Sequence, residues 1–301
     1  LFRSEGRPTN SSGSLFFSIA VNTDSTSADF GKVTFSQAQS IWHATTTNHD
    51  DVQTLTLDGS GEFLRLTQTI TDADGDTDTA SFDLVTAAGG GSSIFSIKDD
   101  GPDAIATATG SVALPTLQLD ETTDLTNGAR STSASFRANF DADTNTNGVQ
   151  TDYGNDGQGS IAFALSLSAD GIGSGLFALD TSDTTAGDGD GYGKGAEILL
   201  FNNNGTIEGR TTNASGTLFF SISVNTETTS ADFGKVTFSQ AQSIWHATTT
   251  NHDDVQTLTL DGSGEFLRLT QTITDADGDT DTASFDLVTA AGGGSSIFSI
   301  K

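Results

Sequence analysis

Cysteine is absent from the 301 residues, so neither a disulfide nor a zinc-thiolate site holds the fold together. Two histories fit that absence: residence in the cytosol, or export of an unfolded chain to the outside in one step. Basic residues are also scarce, with 12 Lys and Arg against 40 Asp and Glu and a formal net charge of -28. That balance argues against nucleic acid and anionic membranes as partners, because both require clustered Lys or Arg to neutralise phosphate. No apolar run approaches the ~20 residues that span a bilayer, so direct membrane insertion is not expected. The opening Leu1-Phe2-Arg3 has no signal-peptide character and reads as a cut within a longer chain. Proline occurs only three times, and helical patterning is confined to Ser36–His43 (SQAQSIWH), enough for one or two turns.

What remains is β chemistry. Hydrophobic residues make up 34% of the chain and include 20 Phe, which is enough apolar surface for a folded core despite the acidity. Thr, Val, Ile and Phe favour pleated surfaces, while the abundant Gly, Asp and Asn favour turns. Residues 63–71 (FLRLTQTIT) alternate cleanly, with Leu64, Leu66, Gln68 and Ile70 on one face and Phe63, Arg65, Thr67 and Thr69 on the other. Residues 15–21, 79–84, 94–97, 159–167 and 197–201 are further strand candidates. Many short strands between Gly/Asp turns predict an all-β fold built as antiparallel, Ig-like or Greek-key β-sandwiches. Trp42 and Trp245 are expected to pack in the core or along an edge.

The strongest organisational feature is repetition. Residues 15–98 recur as residues 218–301 with three changes: Ala20 becomes Ser223, Asp24 becomes Glu227, and Ser25 becomes Thr228. A spacing of 203 residues is too long for a solenoid, whose repeats run ~20–45 residues, and indicates tandem copies of a whole domain. Residues 99–301 then form one complete repeat, and residues 1–98 the C-terminal half of the preceding one. The complete repeat is either one large sandwich with acidic insertions or two smaller ones, and the first is preferred. On that reading residues 1–98 lack half their packing partner and leave an exposed edge. A spacer gains reach with each added copy, whereas a solitary enzyme gains little.

The motif that carries chemistry is TDADGDTD, which places Asp72, Asp74, Asp76 and Asp78 at alternate positions and recurs at Asp275, Asp277, Asp279 and Asp281. Two charges ~6 Å apart in water repel by roughly 0.7 kcal/mol, and a divalent cation reverses the sign. Gly75 and Gly278 let the backbone turn so that the carboxylates converge. Calcium suits such a set because it takes six to eight oxygens in loose geometry, whereas magnesium demands a tight octahedron. The glycine falls at position four of the loop and a strand-like segment follows, so this is not an EF-hand. A second cluster, Asp99, Asp100 and Asp103 around Gly101-Pro102, lies where the repeats join. Asp141, Asp143 and Asn145 in FDADTNTNG, and Asp188 and Asp190 in GDGDG, are further candidate oxygen ligands. Several calcium ions are therefore expected. Extracellular calcium modules bind with dissociation constants of ~0.1–1 mM, so the chain would stay loose in the cytosol and fold outside.

Catalytic signatures are missing. His43, His49, His246 and His252 do not have the spacing of a helical zinc motif, and there is no Gly-x-Ser-x-Gly elbow. Gly187–Gly191 lacks the lysine of a phosphate loop. A glycosidase would need a raised-pKa acid in an aromatic-lined cleft, which two Trp and two Tyr do not suggest. The chain is read as no enzyme.

Taken together, LRLTQTITDADGDTDTASFDL, the following FSIKDDGPDA and the upstream IWHATTTNHDD resemble the repeats of giant type I-secreted RTX adhesins of Gram-negative bacteria. The resemblance covers the second half of the repeat in both copies and the Asp99–Pro102 junction. It implies an extender role at the bacterial cell surface, in adhesion and biofilm, holding a distal adhesive region away from the membrane. Its partners would be neighbouring repeats of the same chain, with calcium at Asp72, Asp74, Asp76, Asp78, Asp99, Asp100 and Asp103 stiffening the string. The nonapeptide GGxGxDxUx array of that family's export signal is missing, which marks an internal segment without the ligand-binding tip. Two alternatives stand beside this one: a calcium-dependent glycan- or ice-binding module of such an adhesin, and a self-assembling filament or surface-layer subunit.

Overall fold

The computed structural model describes residues 2–8, 12–87, 91–108, 113–121, 130–140, 152–185, 191–290 and 295–301. The candidate ligands Asp141, Asp143, Asn145, Asp188 and Asp190 lie outside them. The described residues form nineteen strands and one short helix, so the fold is all-β. Two compact units divide the chain. Unit 1 comprises residues 1–102, 153–159 and 275–280; unit 2 comprises residues 103–152, 160–274 and 281–301.

Unit 1 contains β1 (Phe2–Gly6), β2 (Phe17–Val21), β3 (Val33–Gln37), β4 (Val52–Thr54), β5 (Phe63–Thr71), β6 (Thr77–Thr86) and β7 (Ser96–Lys98). They pair antiparallel as β1-β2-β3, β4-β7 and β5-β6. A small core of Ile19, Leu84, Val85 and Phe95 holds them, with Phe35 tilted against Phe95 at 5.1 Å. The helix expected at Ser36–His43 does not form. Val33 and Phe35 alternate into β3, and the N–H groups of Ala38 and Gln39 both donate to the Phe16 carbonyl, so the segment extends the sheet instead of coiling. Trp42, expected to pack, is exposed.

Unit 2 begins with β8 (Leu117–Leu119), β9 (Arg130–Ser135) and α1 (Arg137–Phe140), then β10 (Gln158–Leu167), β11 (Ile172–Leu179), β12 (Lys194–Asn203) and β13 (Thr206–Thr211). It continues with β14 (Leu218–Val224), β15 (Lys235–Gln240), β16 (Gln256–Thr257), β17 (Phe266–Asp275), β18 (Thr280–Thr289) and β19 (Phe298–Ile300). Six strands order as β11-β12-β13-β14-β15-β9, all antiparallel. The smaller sheets are β10-β17-β18 and β16-β19-β8, and in the latter β19 and β8 run parallel. One core joins the sheets as a sandwich, with Phe140 packed on Phe285 (4.8 Å) and Phe163 (5.5 Å), and Phe238 between Phe220 and Phe298. Alternation along β17 is strict: Leu267, Leu269, Gln271, Ile273 and Asp275 point inward while their neighbours are half-exposed. The sheet period thus leaves an aspartate buried at the strand end, and this Asp275 belongs to unit 1.

The two copies allow one sequence to be seen in two settings. Ile273 and Phe285 are buried in β17 and β18, whereas their counterparts Ile70 and Phe82 in β5 and β6 are 60% and 61% exposed. In unit 2, β10 extends the hairpin's sheet, and Phe136 and Phe140 pack on Phe285. In unit 1, β5 and β6 pair only with each other among the described residues. This hairpin therefore leaves Ile70 and Phe82 open to solvent.

Candidate metal centre

The acidic motif forms the same turn twice. Asp72 Oδ1 accepts the N–H groups of Gly75 (3.1 Å) and Asp76 (2.9 Å); Asp275 Oδ1 accepts those of Gly278 (3.0 Å) and Asp279 (2.7 Å). The Asp72 N–H closes each loop on the Asp76 carbonyl at 2.9 Å, and Asp275 on Asp279 at 3.0 Å. Gly75 and Gly278 adopt φ of 103° and 109°, a region open only to glycine without strain. Local sequence therefore fixes the turn and its first carboxylate. What differs is the cover.

The first turn is open: Asp72, Asp74 and Asp76 are all exposed, with one carboxylate oxygen from each within 4.8 Å of the others. A hydrogen bond with Asp74, then the backbone N–H groups of the turn, lower the Asp72 pKa. In the second turn Asp275 and Asp279 are buried, and Asp99 and Asp156 approach it. One oxygen each from Asp275, Asp277 and Asp279 lies within 4.8 Å of the others, and the same holds for Asp99, Asp156 and Asp277. Two oxygens bound to one calcium at 2.3–2.6 Å span at most about 5 Å, so each set is close enough to share an ion. All five residues belong to unit 1.

Backbone geometry brings them together. The His43 N–H donates to Asp277 Oδ2 (3.2 Å), and the buried His43 Nε2 stands 3.9 Å from Asp99 Oδ1. Asp100 Oδ2 accepts the Asn155 amide N–H (3.2 Å) and side-chain N–H (2.7 Å), which fastens the Asp156 segment beside Asp99. At Gly154 (φ 70°) a Cβ would stand 2.6 Å from the Asp100 carbonyl oxygen, so only glycine permits this approach. A cavity of about 310 Å³, lined by Ser40, His43, Asp99, Asn155 and Asp156 among others, gives water access to the cluster.

The electrostatics are those of a site that lacks positive charge. Burial raises the pKa of Asp275 and of Asp156. Burial also raises Asp279 to about 6, helped by its contact with the Asp99 carboxylate and by the charges of Asp99, Asp275 and Asp277. Among the described residues no Lys or Arg forms an ion pair with any of the five; the nearby Lys98 turns to Asp50 at 3.4 Å. Asp99 Oδ2, Asp275 Oδ2, Asp277 Oδ1 and Asp279 Oδ2 are buried and accept no hydrogen bond. Buried acceptors left without a donor cost about 1–3 kcal/mol each, more when charged. A divalent cation would offset both the charge and the missing donors.

Other expected ligands are placed elsewhere. Asp78 is exposed and caps the Thr79 N–H (2.8 Å), while Asp281 accepts the Ala104 N–H (2.7 Å). Both sit on strands two residues past Asp76 and Asp279, and among the described residues neither belongs to a convergent carboxylate set. Asp100 positions Asn155, and Asp103 pairs through its backbone with Asp152. Asp156 and His43 were not among the residues expected to build the site, although the turn signal Asn155-Asp156-Gly157 is plain in the sequence.

Unit 2 carries a different polar cluster. Glu121, mostly buried, accepts from the Ile244 N–H (3.1 Å) and from Gln240 Nε2, and faces His246 Nε2 at 3.5 Å. His246 Nδ1 lies 2.8 Å from the Asp254 carbonyl, so Nδ1 carries a proton and Nε2 must be protonated to reach Glu121. Glu121 accordingly raises the His246 pKa. A raised folded pKa gives stability that is complete below 6.5 and is lost as pH rises through the folded value. Glu121→Gln is expected to remove this pH-dependent loss and to cost about 1–3 kcal/mol at pH 6, measured by urea unfolding.

An all-β sandwich protein with a buried cluster of carboxylates is the class that fold and site define. Residues 4–85 and 116–288 match the family described as Domain of unknown function (DUF5801), and the chain belongs to that family. No curated protein and no solved structure matches it.

Proposed function

We propose that this chain is a structural repeat of a large secreted, cell-surface adhesin, folded and stiffened by calcium so as to project a distal adhesive region. The observation that carries the reading is the set of buried, unpartnered oxygens on Asp99, Asp275, Asp277 and Asp279, drawn from segments far apart in sequence. An ion held there ties residues 99, 156 and 275–279 into one body, which is a mechanical role and needs no substrate. The 203-residue repetition supports it, since an added copy extends a stalk. So does the resemblance to RTX adhesin extenders. Neighbouring repeats are the partners this reading requires, and export before folding accounts for the absence of cysteine.

Small-angle scattering in EDTA and in millimolar calcium tests it. The expected result is a longer maximum dimension and a less flexible chain in calcium. Superimposable profiles would count against a stiffening role.

A further inference from the structure

We propose that the cluster holds two divalent cations, with Asp277 as the carboxylate they share; this rests on the calcium reading above. The five carboxylates form two triads, Asp99–Asp156–Asp277 and Asp275–Asp277–Asp279, with only Asp277 in common. Asp277 has an oxygen for each ion: Oδ1 is buried without a partner, and Oδ2, which accepts the His43 N–H, keeps a free lone pair. Each triad also carries its own orphaned oxygen, Asp99 Oδ2 in one and both Asp275 Oδ2 and Asp279 Oδ2 in the other. Asp99, Asp275 and Asp279 are 7%, 3% and 1% exposed, so these atoms face the protein interior and not solvent.

Charge decides the stoichiometry. Five ionised carboxylates with one divalent ion would leave an excess of three negative charges, and among the described residues no Lys or Arg pairs with them. Two ions leave an excess of one, which a half-exposed Asp156 beside the water-accessible cavity tolerates. Carboxylate-bridged pairs of ions stand roughly 3.5–4 Å apart, a spacing that one bridging aspartate supports. Calcium accepts monodentate and bidentate aspartates together with water, so three protein carboxylates per ion suffice. The exposed Asp72–Asp74–Asp76 turn has the same sequence but no counterpart of Asp99 or Asp156 over it, and none of its oxygens is buried and unpartnered.

The test is the number of calcium ions retained by the full chain in native mass spectrometry, in a background with Asp72, Asp74 and Asp76 changed to Asn. Asp277→Asn is expected to lose two ions, and Asp156→Asn and Asp279→Asn one each. Paired Tb³⁺ and Eu³⁺ loaded into the unsubstituted cluster should show energy transfer, which a lone ion cannot give. Asp156 is only half-buried, so its variant keeps the fold and reads the count even if Asp277→Asn does not fold. If Asp277→Asn and Asp156→Asn both lose the same single ion and no energy transfer occurs, the two-ion arrangement is wrong while calcium binding stands. If the parent chain retains no calcium, the reading beneath it is wrong as well.

Discussion

In EDTA at pH 7, Asp279→Asn is expected to raise the melting temperature of unit 1, and in millimolar calcium to lower it. The sign follows from burial. In the folded chain Asp279 titrates near 6 against 3.8 for a free aspartate, because burial and the neighbouring carboxylates oppose its ionisation. Between those values the native state binds more protons than the unfolded state, so stability falls as pH rises and stays reduced above pH 6. A displacement of that size is on the order of 3 kcal/mol, which corresponds to about 10 °C in a unit of this size. Asn removes the charge without changing the shape, so the metal-free variant should also show a shallower decline between pH 4 and 6, keeping the shares of Asp275 and Asp156. Groups of opposite sign, such as Asp83 beside Arg65 and Glu208 beside Arg210, are common to both proteins and cancel in the difference. With calcium the same charge becomes a ligand, and its loss removes binding energy. A variant that is destabilised equally in both media would show that the carboxylate is held by the protein alone.

The second large effect compares one residue with its own repeat. Phe238 is fully buried between Phe220 (5.6 Å) and Phe298 (5.2 Å), and Phe238→Ala is expected to cost about 3–5 kcal/mol. Its counterpart Phe35 is only half-buried, against Phe17 and Phe95, and Phe35→Ala should cost roughly half as much or less. Unfolding should therefore split into two transitions, with Phe238→Ala shifting one and Phe35→Ala the other. Equal costs would mean that the burial difference between the copies does not govern their stability. A single transition that both variants shift alike would mean that the units do not unfold separately.

Strand content was legible because alternation is a local signal. The residues of β5 were marked by their period alone, and β17 follows the same pattern with Leu267, Leu269 and Ile273 inward. The helix expected at Ser36–His43 failed because pairing of β3 with β2, a contact outside the segment, outweighed a weak helical pattern. The acidic turn was legible for the same local reason: aspartate and glycine spacing fixes its hydrogen bonds in both copies. Its burial was not legible. Asp72 and Asp275 sit in the same eight-residue motif, yet one is exposed and the other buried. Asp99 and Asp156, which approach the second turn, lie far from it along the chain, where spacing gives no sign of them. Asp78 and Asp281 were grouped with the turn by sequence, but they lie past it on the strands, where Asp78 accepts the Thr79 N–H and Asp281 the Ala104 N–H.

The most direct measurement is thermal unfolding of the intact chain in EDTA, in millimolar magnesium and in millimolar calcium. At ten times its dissociation constant each bound ion contributes about 1.4 kcal/mol. The account predicts a higher melting temperature in calcium, with magnesium well below it. Identical curves in calcium and in EDTA would contradict it.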